Sequence, residues 1–321
     1  LHLSLRRQRQ MCIRDSGYLT YMVERYLALW GEEETIEFLR ACERPPRLSI
    51  RINTLKGEQA QIVERLETKG IVLEPVEGIP EGYWADFGDW SPGSLLEHML
   101  GLYYIQSVPS MVVARVLDPK PGEIILDMAA APGGKTTHAA QLMSDRGIII
   151  AIDQDRQRIA SLESNIYRCG VSCAMVFRGD SRKVGSINIV PDRIILDAPC
   201  SGEGLLPLDP SRKTSRTMAD IRYCATREED LLDAAISVLK PGGVLVYSTC
   251  SIAPEENEYV VDAVLRRHPE MKIVPTGIDL GTEGYVEPYG VQMHEGLRHA
   301  RRFLPHQHGT EGFFICKMVK E

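Results

Sequence analysis

The stretch "EIILDMAAAPGGKTT", residues 123–137, decides how this chain folds. Ile124, Ile125 and Leu126 form an apolar run without alternation, the pattern of a strand buried on both faces. Asp127 closes the run, and a turn of small residues follows through Pro132, Gly133 and Gly134. Glycines there let a ligand approach the backbone, and the helix that follows offers free N–H groups. The turn is not a phosphate cradle of the G-x-x-x-x-G-K-[ST] kind, because position 129 is Ala, and no G-x-G-x-x-G is present.

Four more runs of the same kind follow: "GIIIAID" (147–153), "AMVFRGD" (174–180), "RIILDAP" (193–199) and "GVLVYST" (243–249), with helical patterns between most of them. That alternation predicts an α/β fold built on a doubly wound parallel sheet. Such sheets bind ligands beyond the carboxyl ends of their strands, where the unusual residues of this chain fall. Asp153 ends the second run and suits a ribose; Asp180 follows the third and suits a cofactor amine. A single Asp at a strand end reads as a helix cap. Three in register after a glycine-rich turn point instead to an adenosine-containing cofactor without a phosphate cradle, S-adenosylmethionine.

Ahead of this region, "YLTYMVERYLALWGEEETIEFLRAC" (18–42) has helical spacing interrupted at Gly31. "LSIRINTLK" alternates as a strand, with Leu48, Ile50 and Ile52 on one face and Arg51 and Asn53 on the other. "EQAQIVERLETKG" reads as an amphipathic helix and "IVLEPV" as a strand. We expect a small α+β unit over 17–110 and the doubly wound domain over 111–321. "LHLSLRRQRQMCIRDS" (1–16) lacks the apolar core of a signal peptide, reads as sequencing read-through or a disordered lead, and is set aside.

With 44% hydrophobic and 25% charged residues, the 321-residue chain has a globular composition, and no apolar run approaches the ~18 residues of a membrane span. A net charge of −7 confines any nucleic-acid site to a local patch. Cys169 and Cys173 lack a second ligand pair, so no metal is expected. Reduced thiols in a cytoplasmic protein are the reading of the eight cysteines.

Two of those thiols end strands: Cys200 in "DAPCSGEG" and Cys250 in "VYSTCSIAPEENE". A buried Cys is usually a small hydrophobe. Two at strand ends, one beside Asp197 and Pro199, point to chemistry instead. Pro254, Glu255 and Glu256 read as the first turn of a helix, which would lower the pKa of a thiol just ahead of it.

With these motifs, the chain resembles the NSUN/RsmB family of RNA cytosine-C5 methyltransferases, in its compact tRNA-type form. The resemblance runs from "LSIRINTLK" through "QSVPSMVVARVLDPKPGEIILDMAAAPGGKTT" and the two cysteine motifs to "RFLPHQHGTEGFF", most of residues 45–317. Where the family often has Cys, this chain has Ala129, a position without a catalytic role. The resemblance implies a Rossmann-like methyltransferase domain preceded by an RNA-binding domain. It implies Cys250 as the nucleophile on cytosine C6, and Asp197 on the N3/N4 edge of the base. Lys135 would orient the base, and Cys200 would assist breakdown of the adduct. S-adenosylmethionine would lie over Ala130, Ala131, Pro132, Gly133, Gly134 and Lys135, within reach of Asp153, Asp180 and Asp197. Arg158 is either a cofactor-side group or a solvated helix charge.

For the RNA we expect contacts from Arg51, Asn53 and Lys56, from Arg212, Lys213 and Arg216 in "DPSRKTSRT", and from Arg298, Arg301 and Arg302 in "RHARRFLPHQH". Phe303 is a possible stacking surface; Phe313 and Phe314 read better as a core strand. The target cytosine has to be unpaired or flipped out. DNA methylation is the lesser alternative, since no Glu-Asn-Val follows the Pro-Cys motif. A non-catalytic RNA-binding or assembly factor is another. tRNA is the expected substrate and rRNA the alternative, for a protein acting as a monomer without a membrane.

Overall fold

The computed structural model describes residues 17–321. Near its start, β1 (Ser49–Ile52), β2 (Val72–Val76), β3 (Ile79–Asp86) and β4 (Tyr103–Ile105) form an antiparallel sheet in the order β2-β3-β1-β4. β3 and β4 add to the expected strand, helix and strand. Pro80 and Gly82 in β3 look like strand breakers. Gly82 is needed because a Cβ there would lie 2.9 Å from Ile79 Cγ2 and 3.1 Å from Met111 Sδ.

The expected polar face of β1 is not exposed, because the whole strand is buried. Arg51 donates through Nη1 to Gln141 Oε1 (3.0 Å) and through Nη2 to Thr137 Oγ1 (2.9 Å). Asn53 Nδ2 donates to the carbonyls of Gly101 (2.8 Å) and Cys169 (2.9 Å). The proposed RNA contacts Arg51 and Asn53 are therefore corrected: both side chains fasten the small sheet to the larger domain and reach no solvent.

The larger domain holds the five apolar runs as β5 (Ile124–Asp127), β6 (Ile148–Asp153), β7 (Ala174–Arg178), β8 (Arg193–Asp197) and β9 (Val244–Thr249). They are parallel, in the order β9-β8-β5-β6-β7. β10 (Met271–Ile273), β11 (Thr282–Glu283), β12 (Arg301–Phe303) and β13 (Phe313–Lys320) extend the sheet past β9 with antiparallel pairings, so the sheet is mixed. Chain order reverses between β5 and β8, which opens a crevice at their carboxyl ends.

Strand residues alternate between two cores, as the two-residue period requires. Ile194 and Leu196 of β8 pack with Leu245, Leu232 and Val261 on one face, and Ile195 packs with Ile125, Val246 and Met111 on the other. The first helix, Thr20–Ala41, is broken where expected by Gly31 at φ 78°. Its Tyr26 and Phe38 pack on Leu206, Ile252 and Leu304, next to the segments that carry the two cysteines. Among the described residues, no helix is long and apolar enough to cross a membrane.

Candidate active site

β8 and β9 are parallel neighbours with Asp197 opposite Ser248, so the segments beyond them emerge side by side. Cys200 and Cys250 meet there with their sulfurs 3.1 Å apart. The Gly204 N–H donates to the Cys250 carbonyl (2.9 Å), and a Cβ on Gly204 would lie 2.1 Å from the Gly312 carbonyl oxygen. The Cys200 thiol is pushed well above its usual pKa, first by its hydrogen bond with Cys250 and then by burial. Cys200 thus keeps its proton beside the other sulfur.

The helix expected behind Cys250 starts later than the sequence suggested. Pro254–Glu256 is a single 3₁₀ turn, and the α-helix begins at Glu258. Asn257 interrupts the two because its side chain turns inward, accepting from Thr249 Oγ1 (2.6 Å) and donating to the Ser251 carbonyl (2.9 Å). Cys250 therefore does not stand directly ahead of an α-helix N-terminus.

Asp197 lies beside the thiols at the tip of β8, and both its oxygens are engaged. Lys135 Nζ donates to Oδ2 (2.7 Å) and Ser248 Oγ donates to Oδ1 (2.7 Å). Lys135 stands in the first turn of helix Gly134–Leu142, with its ammonium 5.5 Å from the centre of the Phe313 ring. Asp197 and Lys135 border a cavity of about 180 Å³ that is also lined by Tyr104, Gln106 and Ser107. Below them Asp127 is buried, accepts from Thr136 Oγ1 (2.6 Å) and is pushed up to about 6, chiefly by burial. Glu311 is buried near Ser107, Lys135 and Asp197, and burial likewise raises its pKa.

A second cavity of about 150 Å³ lies over the ends of β6 and β7, bordered by Asp153, Arg158, Asp180 and Arg182. Ala129 lines both cavities. Asp153 accepts from the Ala131 N–H (3.2 Å), and Arg158 donates to the Ala131 carbonyl, so both hold the turn of 130–134 in place. Asp180 caps the following 3₁₀ helix and pairs with Arg182 at 2.7 Å, while still facing the cavity. Gly133 takes φ 106°, which only glycine adopts without strain, and so lets the helix start at Gly134.

The basic residues are scattered by comparison. Lys56 is exposed. Arg212 Nη1 (2.7 Å) and Arg216 Nε (3.2 Å) donate to the Ser201 carbonyl, next to Cys200. Lys213 pairs with Glu43 at 2.5 Å and Arg298 with Glu295 at 2.9 Å; Arg301 is half-buried. Arg302 is a correction. "RRF" is strand β12 rather than a loop, and its alternation turns Arg302 inward, fully buried against Glu258 at 2.5 Å. Phe303 is buried in the same strand, and its ring is not a stacking surface.

The sequence reading assigned no site role to Ser248, Glu256 or Glu311. The acid-rich "PEENE" four residues after a chemically marked Cys was the available signal for Glu256.

A doubly wound sheet with strand-end carboxylates around a glycine turn, preceded by a small antiparallel domain, is a Rossmann-like architecture of the kind methyltransferases share. The chain belongs to the RsmB/F methyltransferase family. The family model for 16S rRNA methyltransferase RsmB/F matches residues 114–319, and that for the N-terminal domain of 16S rRNA methyltransferase RsmF matches residues 20–108. Over 314 residues the chain is 39% identical to the mouse (Mus musculus) 28S rRNA (cytosine-C(5))-methyltransferase, covering 95% of this chain but only 39% of that protein. It is 41% identical over 301 residues to the tRNA (cytosine(49)-C(5))-methyltransferase of Pyrococcus abyssi, covering 93% of this chain and 95% of that protein. The crystal structure of NSun6 from Pyrococcus horikoshii with SFG superposes with a TM-score of 0.85 at 30% identity, covering 95% of this chain and 99% of that one.

Proposed function

We propose that this protein methylates C5 of a cytosine in RNA, using S-adenosylmethionine and a covalent bond from Cys250 to C6. The observation that carries the reading is the Cys200–Cys250 sulfur pair, 3.1 Å apart, just beyond the ends of the neighbouring strands where Asp197 pairs with Ser248. The carboxylates Asp153 and Asp180, with the backbone of the 130–134 turn, fit a ligand carrying ribose hydroxyls and an adenine amine. Bound there, the cofactor would supply an electrophilic methyl group.

The thiolate of Cys250 gives its electron pair to C6, which makes the otherwise inert C5 electron-rich. Asp197, hydrogen-bonded by Lys135 and Ser248, accepts from the exocyclic amine and holds the base edge. Lys135 keeps that carboxylate aimed. After methylation the C5 proton passes to solvent water, the C5–H bonding pair forms the C5–C6 double bond, and the Cys250 sulfur departs as a thiolate with the C6–S pair. Cys200, which retains its proton, hydrogen-bonds that departing sulfur.

A tRNA is the proposed substrate, supported by the similarity to the Pyrococcus abyssi enzyme along 95% of its length. An rRNA is the second reading, favoured by the matching family models and by the mouse relative. Lys56, Arg212, Lys213 and Arg216 are the phosphate contacts we retain from the expected set. Free thiols at the site suit a reducing, cytoplasmic setting.

The test is transfer of labelled methyl from S-adenosylmethionine to separate tRNA and rRNA pools, with nucleoside analysis. Labelled 5-methylcytidine in one pool supports the reaction and selects the substrate. Labelling of another base, or of neither pool by protein that binds the cofactor, overturns it.

A further inference from the structure

We infer that Glu256 is a positioning residue for both thiols: its buried carboxylate ties the segment after Cys200 to the segment after Cys250 and sets the distance between the sulfurs. Oε1 accepts from the Ser201 backbone N–H (2.5 Å) and Oε2 from Ser201 Oγ (2.7 Å). The same Oε2 accepts from Ser251 Oγ. Ser201 and Ser251 are the residues next to Cys200 and Cys250, so one carboxylate grips both motifs immediately beside their sulfurs.

Glu256 is itself anchored, since Tyr247 Oη on β9 donates to its carbonyl (2.6 Å). Asn257, the neighbouring polar side chain, makes its bonds only within the Cys250 segment. Glu256 is wholly buried, and burying a carboxylate is costly unless donors surround it. An apolar side chain would fill the same space at lower cost but could not bind two separate loops.

The geometric part of the inference stands independently of the proposed reaction; its kinetic part rests on it. If release needs Cys200 at the Cys250–C6 bond, loosening Glu256 should retard release although both thiols are present.

The test has an arm that needs no RNA. Reduced protein is treated with glutathione disulfide, and formation of the Cys200–Cys250 disulfide is followed. The two protein thiols lose two electrons and two protons, and glutathione disulfide is reduced to two glutathiones. Glu256→Ala should slow this pairing about tenfold or more, because small displacements of reacting groups sharply lower effective concentration. Glu256→Gln, which keeps the shape but replaces one acceptor oxygen with a donor NH2, should fall between it and the parent protein.

In turnover, Glu256→Gln should leave KM for RNA within about twofold and lower kcat, with a denaturation-resistant protein–RNA adduct accumulating. Ser251→Ala combined with Glu256→Gln should add little to either change. Near-UV circular dichroism confirms folding, and if Glu256→Ala does not fold, Glu256→Gln and Ser251→Ala decide. Unchanged disulfide formation in the folded variants overturns the inference. If the parent protein methylates no RNA, the proposed function fails, while the disulfide arm still decides what Glu256 does.

Discussion

Replacing Arg302 with Ala separates two roles for one basic residue, a phosphate contact or an internal strut. The guanidinium donates twice to Glu258 (2.6 and 2.5 Å) and once to the Ile252 carbonyl (3.0 Å), and lies 4.1 Å from the centre of the Tyr285 ring. Both partners of the ion pair are wholly buried. Removing one strands the other as a buried charge, which costs about 3–5 kcal/mol. Against a total stability of roughly 5–15 kcal/mol, that is a large share. With a urea dependence of roughly 3 kcal/mol per molar, the unfolding midpoint should fall by about 1 M or more. The salt dependence of RNA binding by the folded fraction should not change, because no phosphate contact is lost. Lys56→Ala, at an exposed position, should do the reverse and leave the midpoint where it was. An Arg302→Ala protein with an unchanged midpoint and a salt slope shallower by about one charge would refute the assignment.

Cys250→Ala should abolish both methylation and adduct formation, whereas Cys200→Ala should accumulate a denaturation-resistant adduct; the opposite pattern on denaturing gels would exchange the two roles. Gly204→Ala should lower the unfolding midpoint and the methylation rate together, since its Cβ would meet the carbonyls of Gly312 and Cys250 at 2.1 and 2.7 Å, and an unchanged midpoint and rate would show that the loop yields. His138 is fully buried and its pKa is lowered to about 4, by burial first and then by Arg51. Between pH 6.5 and 4 the unfolded chain takes up a proton that the native state refuses, so stability rises with pH across that window and falls on acidification, by up to roughly 3 kcal/mol. Urea titrations at pH 7, 6 and 5 should show a shallower decline for His138→Gln, and parallel declines would count against a neutral buried His138.

The five parallel strands and the glycine turn were legible because runs such as Ile149–Ile150–Ala151 are buried on both faces whatever surrounds them. The strand-end acids and thiols were legible for a related reason: the end of a parallel strand is an address in the fold. β3 and β12 were not, since Pro80 and Gly82 mark the one as broken and three residues are too few to mark the other. Side-chain destiny was the larger loss. Arg51 and Arg302 look identical in sequence to surface cations, and only partners far along the chain, Thr137 and Gln141 for one and Glu258 for the other, turn them inward. The same holds for Glu256, whose donors Ser201 and Ser251 lie on two different loops. An acidic chain that also commits Arg25, Arg51, Arg115 and Arg302 to internal partners leaves fewer cations for phosphate than its composition suggests. On the proposed function, RNA affinity is then concentrated in what remains. Arg212 and Arg216, though they donate to the Ser201 carbonyl, stay partly exposed within one residue of Cys200. Phosphate charge captured there would be held next to the thiol pair, so recognition and chemistry would share one short segment of backbone.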